Sequence, residues 1–468
     1  MRSISVAFCA AAIASQGMGA PALGQATCEE TQKLLASDGG PQDAFGISTA
    51  IDGDRLVVGS LWDDDNGFNA GAMYVYERTD AGWIETAKLL ALDGAANDNF
   101  GRAVAISGDR VIGGASGENA AGAGSGSAYI FELVEGVWTQ VAKLSGQTAG
   151  PSDVQGWSAS IGGDVAVLSA HRDDDRGFDA GAAYVFERTP DGDWKQTAKL
   201  AGSDTNAADE FGHDVFVAGD GSTILIGAHE TTQSGADSGS AYVFVRDGGA
   251  WAQQAKLFVD EPTSPGSHFG RTVAIDGDRA VIGAPFEHPL NYGAAFVFVR
   301  TGSDWAFETK LTADVRTTQE WFGSCVDIDG DTLVSGSFFN SGQEPGSAFI
   351  FSRQSGAWEM VGETLASDGA NGDGLGRHVG LSNGAVLTTA SRDDDRGVNA
   401  GALYVFDAEC RAPCDADLDD SGSLDFGDVL TFIVAFSSED PIADIVADGN
   451  FTFIDVSAYL TLFSIGCP

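Results

Sequence analysis

Residues 269–284 read FGRTVAIDGDRAVIGA, and this stretch contains the phrase that decides the fold. Apolar residues alternate with small or polar ones on both sides of Gly277 and Asp278, a pattern that predicts two short strands joined by a tight turn. The phrase occurs seven times, with the glycine of its leading FG pair at Gly46, Gly101, Gly156, Gly212, Gly270, Gly323 and Gly376. In two degenerate copies Gln155 and Leu375 replace the phenylalanine. Such an internal repeat predicts one structural unit copied seven times.

Each copy continues with a second phrase, for example GAAYVF at residues 181–186. In six copies a tryptophan then leads into a further strand-like run such as WKQTAKL at residues 194–200. Each unit therefore contains four strand-like runs, and we predict an all-β seven-bladed propeller, in which radial closure protects the sheet edges. We expect the glycine of each FG pair to adopt a positive φ or to allow close backbone approach, and its phenylalanine to pack between blades.

The last blade is split between the two ends of the repeat array. The seventh copy, GALYVF at residues 401–406, lacks a fourth run, whereas CEETQKL at residues 28–34 lacks a preceding third run. We therefore predict that the N-terminal segment supplies the outer strand of the last blade. Comparison with the hairpin of blade three places Cys28 and Cys410 on the two sides of a tight turn and favours a disulfide between them. Four cysteines allow three connectivities, and this positional argument also pairs Cys414 with Cys467.

Charge and hydropathy restrict the partners and the location of the protein. The 468 residues include 68 Asp and Glu against 25 Lys and Arg, for a formal net charge of -43. Such a surface repels nucleic acid and anionic membranes, and we expect neither as a partner. Arg2, a short apolar run and small residues before position 27 predict a signal peptide at residues 1–26, and no later segment resembles a membrane span. We thus expect a secreted or cell-surface protein with a monomeric propeller at 27–410 and a separate module at 411–468.

Acidic triplets mark three of the connections between second and third strands. They are candidate cation or ligand loops, because carboxylates in flexible loops suit Ca²⁺, although solvated turns have the same composition. Strand parity places them on the same face as a repeated aspartate pair in the loops between blades, such as Asp38 and Asp43. The triplets are Asp63, Asp64 and Asp65; Asp173, Asp174 and Asp175; and Asp393, Asp394 and Asp395.

No set of residues predicts an enzyme. The six histidines lack metal-ligand spacing, and Cys325 lies within a first strand, which indicates a buried thiol. His213 shares the position after the FG pair with Arg102, Arg271 and Arg377. That position either lines the mouth of the central channel or is a variable strand edge.

The chain beyond Cys414 follows a different pattern. Residues 417–428, DLDDSGSLDFGD, fit an EF-hand-like calcium loop followed by the apolar run VLTFIVAF. A second loop, DIVADGNFTFID at 444–455, precedes VSAYLTLF and has Val446 and Thr452 at two ligand positions, so we expect a weaker site there. The predicted ligands are Asp417, Asp419, Ser421, Ser423, Asp425 and Asp428 in the first loop, and Asp444, Asp448, Asn450 and Asp455 in the second.

Two families resemble these patterns. The FG phrase followed by GAAYVF-type strands resembles the bacterial branch of the FG-GAP repeat family, related to the propeller of integrin α chains, over residues 28 to about 410. The resemblance implies a propeller used for binding and adhesion. Its calcium loops between first and second strands are replaced here by minimal turns, so those sites are not transferred. Residues 414–468 resemble a dockerin, a small α-helical module that implies calcium binding and a cohesin-like or cell-surface partner.

Together these patterns predict a non-enzymatic binding protein. Its propeller face would bind an extracellular protein or glycan, and its C-terminal module would anchor it. The alternatives are a carbohydrate-binding or carbohydrate-active protein, and a spacer whose faces bind nothing. Two carboxylates beside His or Arg at the channel mouth would favour an enzyme, whereas a smooth acidic rim would favour binding.

Overall fold

A computed structural model describes residues 27–28, 30–233, 235–259, 265–287, 292–313, 321–338, 345–410, 426–438, 443 and 451–465. The predicted signal peptide and the predicted Cys414–Cys467 disulfide lie outside these residues. The chain divides into two compact units, one of which is Ala26–Arg411. The two described helices belong to the other unit.

The strands of the first unit form seven sheets in chain order. The N-terminal strands are β1 (Thr27–Cys28) and β2 (Glu30–Leu34). Blade one has β3 (Phe45–Asp52), β4 (Arg55–Ser60), β5 (Ala72–Thr79) and β6 (Gly82–Leu89). Blade two has β7 (Phe100–Ser107), β8 (Arg110–Ala115), β9 (Ser127–Val134) and β10 (Val137–Leu144). Blade three has β11 (Ala159–Gly162), β12 (Val165–Ala170), β13 (Ala182–Arg188) and β14 (Trp194–Leu200).

The remaining blades repeat this order. Blade four has β15 (Val215–Val217), β16 (Thr223–Ala228), β17 (Ser240–Asp247) and β18 (Ala250–Leu257). Blade five has β19 (Thr272–Asp276), β20 (Arg279–Ala284), β21 (Ala294–Thr301) and β22 (Asp304–Leu311). Blade six has β23 (Val326–Asp329), β24 (Thr332–Ser337), β25 (Ser347–Gln354) and β26 (Ala357–Thr364). Blade seven has β27 (Leu375–Ser382), β28 (Ala385–Ala390), β29 (Ala402–Asp407) and, as its fourth strand, β2.

In blades one to five the four antiparallel strands lie in sequence order, and the first strands of the blades line a central channel. The all-β seven-bladed propeller predicted from the sequence is confirmed. In the hairpins of third and fourth strands the register shifts by one residue near the middle, as between Val75 and Tyr76 of β5. After this bulge the lysine of the fourth strand lies directly across from the aromatic residue of the third, as Lys88 does from Tyr74. Lys88 is also the second-to-last residue of β6, so it lies at the end of the blade where the acidic loops emerge.

The ring closes as predicted, with one addition. β2 pairs antiparallel with β29, so the N-terminal segment completes blade seven. The Cys28–Cys410 disulfide is present, with Cα atoms 4.3 Å apart. The addition is β1, which pairs in parallel with β26 and extends blade six to five strands. The N-terminal segment therefore joins two neighbouring blades.

The FG pairs hold neighbouring blades together. All seven glycines have φ between 74° and 90°. A Cβ atom on any of them would lie 1.9–2.8 Å from a carbonyl oxygen of the preceding blade's third strand. A side chain cannot fit at such a distance, so glycine is required both for its φ and for close approach. The phenylalanines are buried where blades meet. Phe100, for example, belongs to a core that combines Met73 and Val75 of blade one with Tyr129 of its own blade, whose ring centroid lies 5.5 Å away.

The second unit contains helices α1 (Phe426–Ser437) and α2 (Phe453–Ile465). They cover the two apolar runs that follow the predicted calcium loops. Phe432 of α1 stacks on Tyr459 of α2 with ring centroids 4.1 Å apart, and this pair forms the centre of a small core. No helix among the described residues is long and apolar enough to span a membrane.

Candidate functional site

The acidic triplet of blade one surrounds a lysine of the same blade. Lys88 places its Nζ 2.8 Å from Oδ2 of Asp63 and 2.7 Å from Oδ2 of Asp65. Asp38, in the loop that enters the blade, brings a third carboxylate oxygen to 2.8 Å. The Tyr74 hydroxyl reaches Asp38 at 2.7 Å and Asp63 at 3.0 Å. Because one side chain contacts both loop classes, the two sets of aspartates share a face.

Blade seven repeats this arrangement across the closure. Lys33 of β2 lies 2.7 Å from Asp368, 2.9 Å from Asp393 and 2.7 Å from Asp395. Burial acts to lower the pKa of Lys33, but hydrogen bonds to these three aspartates outweigh burial and raise it. The ammonium is therefore firmly held in its charged form. The network joins the N-terminal strand to loops from the far end of the array.

The triplet of blade three has one carboxylate fewer. Lys199 lies 2.6 Å from both Asp173 and Asp175, and the Thr148 hydroxyl takes the place of the third carboxylate at 3.2 Å. The middle aspartates point away from the lysines. Oδ1 of Asp174 accepts a hydrogen bond from the backbone N–H of Asp179 at 2.8 Å, and Asp64 and Asp394 make the equivalent bond.

The cation at the triplets is thus one that the chain itself supplies. The pattern extends to Lys143, Lys256 and Lys310, each within hydrogen-bond distance of one or two acidic side chains or an amide oxygen. Blade six departs from it, since Glu363 replaces the lysine and Phe349 the tyrosine. Metal binding by the triplets stays a prediction.

Two of the predicted calcium ligands in the C-terminal unit are described. Asp428 and Asp455 occupy the third position of α1 and of α2, and both are fully buried. Oδ2 of Asp455 accepts a hydrogen bond from the backbone N–H of Thr452 at 2.8 Å, which caps the start of α2. The other predicted ligands lie outside the described residues: Asp417, Asp419, Ser421, Ser423, Asp425, Asp444, Asp448 and Asn450.

A cavity of about 520 Å³ occupies the channel between the first strands. Within it the carboxylates of Asp214 and Asp327 each accept a hydrogen bond from a backbone N–H of the next blade. Asp214 accepts from Val273 at 2.8 Å and Asp327 accepts from Leu381 at 2.8 Å. Burial raises the pKa of Asp214 to about 6 and that of Asp327 to about 7.

An arc of rings surrounds the channel mouth on the face of the acidic loops. Successive ring centroids lie 4.1–5.8 Å apart, close enough for direct contact between edges and faces. The arc runs from blade three to blade six through Trp157, His171, His213, His229, His268, Phe286, Trp321 and Phe338.

Three arginines lie against this arc. The guanidinium of Arg102 sits 3.8 Å from the ring centroid of Trp157, and those of Arg271 and Arg377 lie over Phe286 and Phe338. Burial, with the charges of Arg377 and Arg271, lowers the pKa of Arg102 to about 10. Within the described ranges no carboxylate forms an ion pair with Arg102 or Arg377. The mouth therefore contains cationic groups without an ion-pair partner on an otherwise acidic protein.

Sequence reasoning identified one column of this mouth and missed the rest. It considered the position after the FG pair as a channel-mouth position, and the structure places His213, Arg102, Arg271 and Arg377 there. Trp157 shares this position, after Gln155 and Gly156. The remaining rings come from the position before the FG pair, as with His268, and from the first residues after the second strand. These columns meet only in three dimensions. Aligning the seven copies and reading all three columns together would have revealed the cluster.

Seven stretches of the chain match the FG-GAP repeat family, at residues 28–76, 83–131, 138–186, 194–244, 251–298, 305–351 and 358–406. Each stretch starts with the fourth strand of one blade and ends in the third strand of the next, so repeats and blades are offset by one strand. Six stretches start with a tryptophan and the first starts with Cys28. A comparison with curated proteins gives no match. Because the seven stretches cover more than half of the chain, the protein belongs to the FG-GAP repeat family.

Proposed function

We propose that this protein is an exported, non-enzymatic binding protein of the adhesion type. Its propeller holds an extracellular protein or glycan at the channel mouth, and its C-terminal module anchors it through calcium to a cohesin-like partner or to the cell surface. The FG-GAP propeller supports a binding scaffold. The disulfide supports maturation outside a reducing cytosol.

The observation that carries the proposal is the chemistry of the channel mouth. A concave site with aromatic walls and a few converging polar groups is the usual form of a ligand site. Here Trp157 and Phe338 are half-buried, and Arg102 and Arg377 stack on them without a carboxylate partner among the described residues. Guanidinium groups in this setting favour a ligand that carries carboxylate, sulfate or phosphate groups.

A carbohydrate-active protein is the second candidate, and one observation favours it. Two carboxylates, Glu210 and Glu230, lie beside His229 and close to Arg271 at the mouth. Burial and the charge of Glu230 raise the pKa of Glu210, the direction that a general acid requires. The same site could then cleave the glycan that it binds.

The C-terminal helices support the anchoring role. Large apolar side chains of α1 and α2 are exposed, among them Ile433 at 55% and Leu460 at 53%. An apolar groove of about 370 Å³ lies between the two helices. Exposed apolar surface of this kind marks an interaction site on a soluble protein. Asp428 and Asp455 stand at equivalent positions of the two helices, as a duplicated calcium motif requires.

Binding of the full chain to an array of anionic and neutral polysaccharides tests the propeller function. We expect preferential binding to anionic glycans, and a loss of at least about tenfold in affinity for Trp157→Ala or Arg102→Ala, since each removes a stacking partner. Phe307→Ala is the control, because Phe307 is an exposed ring on an outer strand. Equal binding by all variants would contradict the proposal.

Release of reducing sugar from the bound glycan separates the two candidates. The binding protein releases none. The carbohydrate-active alternative predicts release that is lost in Glu210→Gln while binding remains.

Calorimetric titration of the full chain with Ca²⁺ tests the anchor. We expect one strong site that is lost in Asp428→Ala and kept in Asp64→Ala, an exposed aspartate of the propeller. Absence of a site sensitive to Asp428→Ala would overturn calcium-dependent anchoring and leave the glycan result unaffected.

A further inference from the structure

Histidines and glutamates from two blades converge at one point of the channel mouth. Glu210 and His213 flank the FG pair of blade four, and His229 and Glu230 follow the second strand of that blade. His268 precedes the FG pair of blade five. The five side chains form two sets of three, Glu210–His213–His229 and His229–Glu230–His268, and within each set the ligand atoms lie within 4.8 Å of one another.

We infer that these side chains form a binding site, centred on His229, for one divalent transition-metal ion of the zinc class. His229 belongs to both sets and provides the central ligand. Nothing in the repeat family's pattern or in the acidic loops requires this site. It shares Glu210, Glu230 and His229 with the carbohydrate-active alternative, but it does not depend on the anchoring proposal or on ligand binding at Trp157 and Arg102.

The distances around His229 suit a cation. Its Nε2 lies 3.1 Å from Oε1 of Glu230 and 3.7 Å from Oε2 of Glu210. The ring centroids of His213 and His229 are 4.1 Å apart. Imidazole nitrogens combined with carboxylate oxygens are the ligand set of Zn²⁺, whereas Ca²⁺ takes oxygen ligands alone. The site therefore differs in chemistry from every aspartate loop of this chain.

His213 is already oriented for coordination. Its Nδ1 lies 3.1 Å from the backbone carbonyl oxygen of Arg271, and donation of this hydrogen bond assigns the ring proton to Nδ1. Nε2 then carries the free lone pair. A second ring nitrogen bonded to a backbone carbonyl is the usual support of a metal-binding histidine.

Nδ1 of His268 provides an independent observation. It is buried without a hydrogen-bond partner and lies 3.5 Å from Oε1 of Glu230, so it faces the site. A buried polar atom without a partner is costly, and an ion held between these two atoms would satisfy it. His229 is buried as well, and its Nε2 faces both glutamates.

One basic side chain acts on the acidic ligands of the site. Arg271 lies near both glutamates and competes for them electrostatically, so an occupied site requires the ion to outweigh this cation.

Zn²⁺ titration of the full chain tests the site directly. Excess Ca²⁺ is present to compete for any carboxylate site, and Zn²⁺ binding is followed by calorimetry and by equilibrium dialysis. We expect one site. Loss of a residue that only supports a metal ligand costs about 10- to 100-fold in metal affinity. Loss of the direct ligand in His229→Asn should therefore weaken Zn²⁺ binding by at least as much. Glu230→Gln, which keeps the size and shape of the side chain, should also weaken binding by about tenfold or more.

His171→Asn is the matched control, because His171 occupies the position of His229 in blade three and belongs to neither set. Its Zn²⁺ affinity should equal that of the unmodified chain. Thermal unfolding without metal checks that the variants fold, and Zn²⁺ should raise the unfolding temperature of the control and not of His229→Asn. If His229→Asn fails to fold, Glu230→Gln and His268→Gln decide the matter. Equal Zn²⁺ affinity in the unmodified chain and in the folded variants would overturn the inference.

Discussion

The acidic loops and the channel mouth lie on the same face of the propeller, yet they handle charge in opposite ways. In the loops, three carboxylates surround each of Lys88 and Lys33, and every charge has a partner. At the mouth, Arg102 and Arg377 have no ion pair within the described residues, and His229 keeps a buried nitrogen without a hydrogen bond.

The difference teaches where to look for a ligand. A satisfied network gains little from an additional ion, because a new cation must displace an ammonium that already has short bonds to its partners. An unsatisfied cluster gains from any group that completes it. The acidic residues at the lysines already have partners, and the unpaired cationic and aromatic residues of the mouth are the first candidates for recognition.

Loss of the disulfide should have the largest effect. The double variant Cys28→Ser/Cys410→Ser should have a free energy of unfolding lower by about 4 to 5 kcal/mol, because the disulfide closes a very long loop. It also secures the strand that carries Lys33. Denaturant unfolding measures the change, with Cys325→Ala as a control at a buried thiol outside the closure. A loss below about 1 kcal/mol would mean that strand pairing and the lysine network close the ring unaided.

Removal of Lys88 tests the satisfied half of the comparison. Lys88→Met should lower the free energy of unfolding by about 2 to 3 kcal/mol. It leaves the buried Asp63 without its cation, beside Asp38 and Asp65, whose side chains are about half exposed. The cost should shrink on acidification, as the carboxylates become protonated. Chemical denaturation at two pH values gives both quantities, and Lys195→Met, at an exposed pair 3.9 Å apart, serves as the control. Equal costs for the two variants would remove the distinction between the lysine networks and ordinary surface pairs.

Opposite pH responses should separate the loops from the channel. The pKa of Asp38 is lowered in the folded protein, against the effect of burial, by hydrogen bonds to Lys88 and Tyr74, so its contribution is present above the unfolded pKa and lost on acidification. The pKa of Asp327 is raised to about 7, so the folded state binds its proton more tightly. Stability from this group falls as the pH rises from about 4 to about 7. Asp327→Asn should flatten that slope in unfolding measured across the window, and an unchanged slope would contradict the assignment.

Replacement of Arg102 should have the smallest effect on stability. Arg102→Met keeps a side chain over Trp157 and removes repulsion with Arg271 and Arg377, so we expect a change within about 1 kcal/mol, neutral or stabilising. Thermal unfolding measures it, alongside the loss of anionic glycan binding. A destabilisation above about 2 kcal/mol would show that the guanidinium has a structural role.

The architecture was largely predictable, because it depends on local rules repeated seven times. The FG pair specifies a backbone conformation and a close contact. Only six tryptophans follow the seven aromatic third strands, and this shortfall indicates that the last blade takes its outer strand from elsewhere. The parallel pairing of Cys28 with Thr364 was not predictable, since it depends on how two neighbouring blades meet.

The partners of the acidic loops were not predictable for a related reason. Lys88 and Asp65 lie in different parts of the blade, and a one-residue bulge between the third and fourth strands places Lys88 opposite Tyr74. The mouth was missed because His213, His229 and His268 follow no spacing along the chain. Their proximity arises from the ring geometry.

The one-strand offset between repeat and blade bears on how such a protein changes in evolution. Every repeat carries the outer strand of the blade before it, and the first repeat carries Cys28 and the strand that closes blade seven. Duplication or deletion of an internal repeat by recombination would therefore leave each blade complete and the disulfide-linked closure of the ring intact. Descendants with different numbers of blades would inherit the same closure, and selection could then act on the width of the channel.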